Sequence, residues 1–391
     1  MDSRRVYFAI YGSGLGHVTR VLEISGRLPQ GEYETRYSTS GQGLGFLESR
    51  VEGQRAIKSP PLDVEWAEGG GFSSHTVLPH FPFMFNAFLK QVAFERGAIR
   101  RFDPAVVVSD SRLSAVFAAR SELYPVVTML NQFKILFPPR FRSRMGRVYE
   151  RIAGDALGLM WSLSDRVLVT DLPPPYTIGE ENLAESEVSR IVEFVGFTAP
   201  LVTLSEEKLL RAKKTLGLDR RPLVFCHTSG PDPTKGRFRE TLLSSVGELT
   251  RRFNLVISMG YPAGSTEPKK LADGAWLFDW CPVKDEMLAL SSVVVARAGL
   301  STIGQCIEHG KPAILVPIHN HPEQIANAEK FARLGLGVAI RSENLTSQSL
   351  VESVKTCADD AKYRINMERV SAVSRRYRGV ERCAEVIRSF A

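Results

Sequence analysis

The stretch VYFAIYGSGLGHVTR, Val6 to Arg20, decides how this chain is read. Val6–Ile10 is a short apolar run of the kind that forms a buried parallel strand. Gly12, Gly14 and Gly16 follow, with Ser13 between the first two, and an apolar-periodic stretch from Val18 to Leu28 predicts a helix. A glycine-rich turn between strand and helix brings backbone N–H groups and the positive end of the helix dipole close to an anion. His17 stands where the helix begins, and a mere turn has no need of it.

Outward from this loop the strand–helix rhythm repeats. Strands are predicted at Glu34–Ser38, Ala105–Ser109, Pro125–Leu130, Asp165–Thr170 and Ile191–Val195, with a helix at Arg112–Glu122 and a glycine-rich loop at Thr39–Gly45. Gly196–Thr203 breaks the rhythm, and a charged helix follows at Glu206–Leu216. It restarts with strands at Pro222–Thr228, Asn254–Ser258, Trp276–Phe278, Val293–Ala296, Pro312–Val316 and Gly337–Ile340. The expected fold is α/β, with two Rossmann-like doubly wound domains at 1–199 and 200–371 and a helical end at 372–391.

Bulk properties bound the function without choosing it. A chain of 391 residues with 43% hydrophobic content can build two large cores. No apolar run is long enough to span a bilayer, and MDSRR (Met1–Arg5) leads straight into a strand, so a cytoplasmic location is expected. Five scattered cysteines without a CxxC fit reduced thiols rather than a disulfide framework or a zinc site. The formal net charge of +7 admits a nucleic acid, an anionic membrane or a phosphorylated substrate.

The opening loop does not read as a dinucleotide fingerprint. His17 occupies the place of the third glycine in G-x-G-x-x-G, and Arg36–Gly41 carries no carboxylate to hold a ribose. No G-K-[ST] follows, which excludes a Walker loop. More specific signals lie further on. RAGLST (Arg297–Thr302) sets Gly299 and the hydroxyls of Ser301 and Thr302 after a buried strand where a helix begins, a place suited to a diphosphate. Thr228, Ser229 and Gly230 repeat the pattern after the strand Pro222–Thr228. The two hydroxyls also suit plain N-caps.

Four ordered stretches, DWCPVKDEML (Asp279–Leu288), VVVARAGLSTIGQ (Val293–Gln305), GKPAILVP (Gly310–Pro317) and EQIANA (Glu323–Ala328), carry a resemblance. Together with the opening loop they resemble the nucleotide-sugar half of the two-domain, metal-independent glycosyltransferases of the GT-B fold. The likeness is greatest to the transferase that adds N-acetylglucosamine to a lipid-linked muramyl precursor, and extends to the plant and antibiotic enzymes that glycosylate small molecules. It implies two domains facing a cleft, with the final helix crossing back to the first. It also implies a nucleotide-sugar donor, UDP-linked for preference, a hydroxyl acceptor, and neither cofactor nor metal. No D-x-D and no His/Cys cluster offers itself as a metal site.

The resemblance also assigns roles. Trp280 borders the base of the donor, its other reading being core packing, and Arg297 belongs to the donor loop. Glu323 and Gln324 face the sugar hydroxyls, their other reading being an exposed helix start. Gln305 departs from the pattern, because most such enzymes carry a glutamate there for the ribose; Glu308 is the next carboxylate able to substitute. His17 reads as the base that deprotonates the acceptor, oriented by Asp110 at the end of a neighbouring strand, or as an acceptor-binding residue. Two rivals stay open, a non-hydrolysing UDP-sugar 2-epimerase and a non-catalytic nucleotide-sugar sensor.

Two stretches of the first domain, the aromatic-rich Val77–Leu89 and Phe133–Arg147, which mixes apolar residues with Lys134, Arg140, Arg142, Arg144 and Arg147 and no acid, suggest a lipid-linked acceptor or an anionic membrane surface. A peripheral place on the inner face of the membrane is therefore admitted. No nucleic-acid partner is expected, because the arginines adjoin prolines and aromatics rather than a reading helix.

Overall fold

A computed structural model describes residues 3–12, 14–52, 55–62, 81–134, 136–137, 142–183, 191–199, 204–230 and 232–391. The chain divides into two compact units. The first holds the described residues up to 199 together with Tyr377–Ala391, and the second those from 204 to Arg376.

Among the described residues the first unit has a seven-stranded sheet. Its strands are β1 Arg4–Ile10, β2 Tyr33–Thr39, β3 Ala56–Lys58, β4 Val106–Asp110, β5 Val126–Leu130, β6 Arg166–Val169 and β7 Val192–Phe194. They run β3-β2-β1-β4-β5-β6-β7, all parallel. The chain reverses direction across the sheet between β1 and β4, so a crevice opens at their C-terminal ends. Ile10 pairs with Asp110 there, which puts Tyr11 and Ser111 at the rim. Both faces of β1 are buried: Val6, Phe8 and Ile10 in one core cluster, Tyr7 and Ala9 in another. That is why the strand reads as a continuous apolar run.

The last helix, Gly379–Phe390, packs in the first unit. Val380, Cys383, Ala384, Val386 and Ile387 join the same core as Val18, Val21 and Ile24 of the helix Gly16–Ser25. Glycines admit this crossing. A Cβ at Gly379 would lie 2.4 Å from the carbonyl oxygen of Phe197, and one at Gly196 would lie 2.4 Å from Cβ of Tyr377.

The second unit repeats the plan, again with a seven-stranded sheet. Its strands are β8 Leu223–His227, β9 Asn254–Ser258, β10 Lys269–Ala272, β11 Ala275–Phe278, β12 Ser291–Ala296, β13 Ala313–Leu315 and β14 Gly337–Ala339. The order is β10-β11-β9-β8-β12-β13-β14, with only β10 antiparallel to its neighbour. The reversal falls between β8 and β12, where His227 pairs with Ala296. The two loops singled out in the sequence, Thr228–Gly230 and Arg297–Gly299, follow these two strands directly.

Some local expectations are corrected. Thr39–Gly45 is not simply a loop: Gly41–Glu48 is helical. Gly43 is needed because a Cβ there would lie 2.9 Å from Cγ2 of Val18. The edge strands β3 and β10 went unread, being short and weakly apolar. In Phe133–Arg147, residues 135 and 138–141, including Arg140, lie outside the described residues. Phe133 and Leu136 are buried rather than wedge-like, and Arg142 is paired with Glu150 and Glu181, acids the linear stretch did not reveal. In Val77–Leu89, residues 77–80 are likewise outside, while Phe83, Phe85 and Leu89 are exposed.

Candidate functional site

His17 opens the helix Gly16–Ser25 at the reversal point of the first sheet. Its Nδ1 lies 3.0 Å from Oδ1 of Asp110, the last residue of β4. The imidazole is 21% exposed and the carboxylate 1%. Arg20, one turn along the same helix, completes the group. Its Nε donates to Oδ2 of Asp110 at 2.8 Å, Nη2 reaches Oδ1, and Nη1 donates to Oγ1 of Thr170 at 3.2 Å. Burial alone would raise the Asp110 carboxyl, but the Arg20 guanidinium and then His17 overcome it and hold the group at about 2.

Arg20 Nη2 also comes within 2.9 Å of His17 Nδ1. Arginine only donates, and both Asp110 oxygens already accept from it. With hydrogen on Nδ1, facing Asp110, the Nε2 lone pair is left bare. Such an imidazole can take a proton from a hydroxyl.

The first two glycines of the loop serve different needs, close approach at Gly12 and a left-handed backbone at Gly14. A Cβ on Gly12 would lie 2.4 Å from the carbonyl oxygen of Ser40, and Gly14 adopts φ +79°. Ser13 lies outside the described residues. Beside the loop is a pocket of about 170 Å³ whose lining includes Tyr11, Ser40, Leu62, Phe88, Ser111 and Arg112. The Tyr11 ring packs edge-on against the His17 ring, with centroids 5.3 Å apart, so pocket and imidazole adjoin. Behind the pocket Arg112 is buried and neutralised: Nη2 donates to Oε1 of Glu95 at 2.7 Å, while Tyr7 and Ser38 donate to the same carboxylate.

In the second unit the loops after β8, β12 and β13 are stitched together. Arg297 is buried, and its guanidinium donates to the carbonyls of Val316, Pro317 and Thr234, stacked over the Phe238 ring. Burial lowers it to about 10. Arg297 thus braces the site from below instead of opening onto it. The helix Leu300–Glu308 is capped by Gly299, which supplies no side-chain bond. Ser301 and Thr302 are not N-caps; both sit half-buried in the first turn. A Cβ at Gly299 would meet no atom within 4 Å, so there is room above the helix N-terminus.

Gly230 adopts φ +107°, and half-buried Ser229 precedes it. The chain next forms a 3-10 turn, Asp232–Thr234, before the helix Gly236–Ser244. Lys235 closes this turn, with Nζ donating to Asp232 at 2.9 Å and to the Gly260 carbonyl at 2.8 Å. Gln324 spends its side-chain carbonyl on the Ile318 N–H at 3.1 Å, and Glu323 is half-buried in the first turn of Pro322–Arg333. Trp280 is half-buried after β11, its backbone N–H bonded to Ser265.

Gln305 is half-buried on the helix Leu300–Glu308. Glu308 cannot stand in for a ribose-binding glutamate as it is placed. Its carboxylate is buried and accepts from Ser374 Oγ. Burial raises it, against the opposing pull of Ser374 and Arg375.

Sequence reasoning missed Arg20, Lys235 and His227. Arg20 carried a signal, its i+3 spacing from His17. His227, at the end of β8, is pushed down to about 3 by burial and by Lys284 and Lys235, and nothing local marked it. Among the described residues no group of three or more His, Cys, Asp or Glu could hold a metal ion, and no helix is long and apolar enough to cross a membrane.

Comparison with known proteins agrees with this architecture. Residues 235–383 match the glycosyltransferase family 28 C-terminal domain. The chain is 25% identical over 358 residues to an uncharacterized glycosyltransferase of Methanopyrus kandleri, covering 90% of this chain and 95% of that protein. It is 25% identical over 180 residues to a UDP-N-acetylglucosamine–N-acetylmuramyl-(pentapeptide) pyrophosphoryl-undecaprenol N-acetylglucosamine transferase of Bacillus cereus, 45% of this chain and 49% of the relative. Among solved structures, the calicheamicin glycosyltransferase CalG4 superposes with a TM-score of 0.68 at 15% identity, covering 100% of this chain and 98% of that one. The chain is a glycosyltransferase of the GT-B fold, with a C-terminal half similar to the family 28 C-terminal domain.

Proposed function

We propose that the protein transfers a sugar from a nucleotide-sugar, UDP-linked for preference, to the hydroxyl of an acceptor, using neither metal nor cofactor. The observation that carries this reading is the His17–Asp110 pair, with Nδ1 at 3.0 Å from the carboxylate and the other ring nitrogen left for a proton. The acceptor hydroxyl gives its proton to Nε2 of His17, and its oxygen bonds to the anomeric carbon. The bond from that carbon to the nucleoside diphosphate breaks, and the diphosphate leaves with the electron pair.

Charge on the leaving group is met by the helix N-terminus at Gly299, with the hydroxyls of Ser301 and Thr302 and the Ser229–Gly230 loop beside it. Trp280 provides a flat face for the base, and Gln305, Glu323 and Gln324 provide polar groups for ribose and sugar. The pocket beside Tyr11 takes the acceptor. Its walls combine Leu62 and Phe88 with Ser40 and Ser111, which suits an apolar body bearing a hydroxyl. The Bacillus cereus relative is named for a lipid-linked acceptor, so lipid-linked hydroxyls belong in the test set.

The test is incubation with UDP-sugars and a panel of small phenolic, sugar and polyprenyl-linked acceptors, following nucleotide release and product mass, with and without EDTA. Acceptor-dependent UDP release that survives EDTA is expected. Interconversion of the sugar without transfer, binding without turnover, or loss of activity on chelation would each overturn the reading.

A further inference from the structure

Ser111 stands where a glycine fits better. It follows β4 with φ +54°, a left-handed backbone that costs energy for a residue with a Cβ. The turn is held from both sides. The Ser111 N–H donates to the Met129 carbonyl at 3.1 Å. The Arg112 N–H donates to Ser109 Oγ at 3.2 Å, and that hydroxyl donates to the Arg112 carbonyl at 2.9 Å. Glycine would take this turn without strain, so serine adds only its hydroxyl. Among the described residues that buried hydroxyl has no hydrogen-bond partner. A buried polar group without a partner is rare in a native fold, and strained backbone gathers at ligand sites.

Ser111 belongs to the wall of the pocket beside Tyr11, and its neighbours there share its chemistry. Ser40, Gln91 and Ser114 line the same space. Gln91 is fixed at both ends: its Nε2 donates to the Pro60 carbonyl at 2.8 Å, and its Oε1 accepts from Ser114 Oγ at 2.6 Å. Arg112, the cation of the wall, is answered by the fully buried carboxylate of Glu95. Tyr11 and Phe88 add aromatic surface. At about 170 Å³ the pocket is smaller than the ~300–1,000 Å³ usual for drug-sized ligands, so it seats a single ring rather than a fused system.

Resting on the transfer reaction proposed above, we propose that the acceptor is a neutral monosaccharide ring, free or at the head of a longer glycoside, and that Ser111 selects it by hydrogen-bonding one of its hydroxyls. One ring hydroxyl loses its proton to His17 and bonds the anomeric carbon of the donor sugar, while the nucleoside diphosphate leaves with the electron pair. The ring keeps its other hydroxyls for the serines and Gln91. A simple phenol spends its one hydroxyl on transfer and leaves that wall unpaired, which a site built for hydrogen bonds penalises. A carboxylated or phosphorylated ring meets an arginine whose charge Glu95 already answers.

The experiment gives the full chain UDP-glucose or UDP-N-acetylglucosamine and three sets of acceptors. These are methyl glycosides of glucose, mannose and N-acetylglucosamine, the octyl glycosides of the same sugars, and 4-methoxyphenol. Transfer to a glycoside is expected, with kcat/KM roughly tenfold or more above the phenol. Equal use of methyl and octyl glycosides assigns the site to the sugar alone, and preference for octyl assigns it to the head of a longer glycoside; both support the proposal. Ser111→Gly should keep the melting temperature and raise the glycoside KM by about two- to tenfold, the worth of one hydrogen bond. Its kcat should stay unchanged, the mark of a binding contact. Leu62→Trp, which fills the pocket from an apolar wall, should raise the KM more. A phenol used as well as every glycoside, or an unchanged KM in Ser111→Gly, overturns the proposal while the transferase stands. Transfer to no acceptor sinks the transferase mechanism instead. In that case saturation-transfer NMR with the methyl glycosides decides: binding that Leu62→Trp removes supports the sugar site, and no binding to the parent protein overturns it.

Discussion

Arg20 grips both carboxylate oxygens of Asp110, with Nε 2.8 Å from Oδ2, while His17 meets the same carboxylate at 3.0 Å. The helix that supplies the imidazole therefore also supplies the cation that keeps its orienting carboxylate charged. Asp110 is buried, and without Arg20 its charge would face the cost of burial with only the His17 imidazole beside it.

His17→Ala should lower the transfer rate by about 10²–10⁴-fold, the usual worth of a positioned base. Its side chain is partly exposed, so the melting temperature should move little. Thermal stabilisation by a nucleotide diphosphate should persist, because the loops proposed to hold the diphosphate, at Ser229–Gly230 and Gly299–Thr302, belong to the other unit. Near-normal turnover would remove His17 from the base role.

Arg20→Met should cost stability, about 3–5 kcal/mol for breaking a buried pair on one side. The pH dependence carries the sign. Asp110 is held at about 2 in the folded protein against about 3.9 unfolded, so its stabilisation is complete above pH 4 and is lost as pH falls toward 2. That contribution is about 2–3 kcal/mol in the parent and should shrink in the variant. Urea melts between pH 2 and 6 test this; an identical acid slope in both proteins contradicts the clamp.

Gly12→Ala and Gly299→Ala should separate structural from functional glycine. A methyl at Gly12 meets backbone oxygen at 2.4 Å, so a loss of about 1–3 kcal/mol is expected from forced displacement. A methyl at Gly299 meets nothing, and its φ of −74° suits any residue. Gly299→Ala should fold like the parent and raise the KM for the donor. An unchanged donor KM would argue that no phosphate rests there.

Arg297→Lys should destabilise almost as much as Arg297→Ala, because a single ammonium cannot serve the spread of carbonyls at Val316, Pro317 and Thr234. Denaturant melts of both variants check this; full rescue by lysine would show that charge alone matters.

Glu308→Gln should leave the donor KM within about twofold, since the carboxylate is turned to Ser374 and an amide can still accept that bond. Gln305→Ala is the companion variant, and its donor KM should rise. A larger effect at position 308 than at 305 would reverse the ribose assignment.

Much of the architecture was legible because buried parallel strands announce themselves. Val6–Ile10, Asn254–Ser258 and Val293–Ala296 are apolar on both faces and read directly, and the strands lie within a few residues of their predicted bounds. The edge strands Ala56–Lys58 and Lys269–Ala272 are half-solvated and carried no such signal. The helix Gly41–Glu48 was hidden by its glycines, which local propensity assigns to turns, although one of them, Gly43, is required by packing against Val18.

The pairing of His17 with Asp110 was implied only by the resemblance to known glycosyltransferases; by itself the sequence determined the succession of strands and helices and the loops at strand ends. These follow from local pattern and from the rule that doubly wound sheets gather function at strand C-termini. Only the tertiary structure decided where polar side chains are spent. It turned Arg20 to Asp110, 90 residues away, buried Arg297 beneath three carbonyls, and committed Glu308 to Ser374. The reason is physical: a buried charge must find partners, and sheet register and helix packing bring those partners from distant parts of the chain.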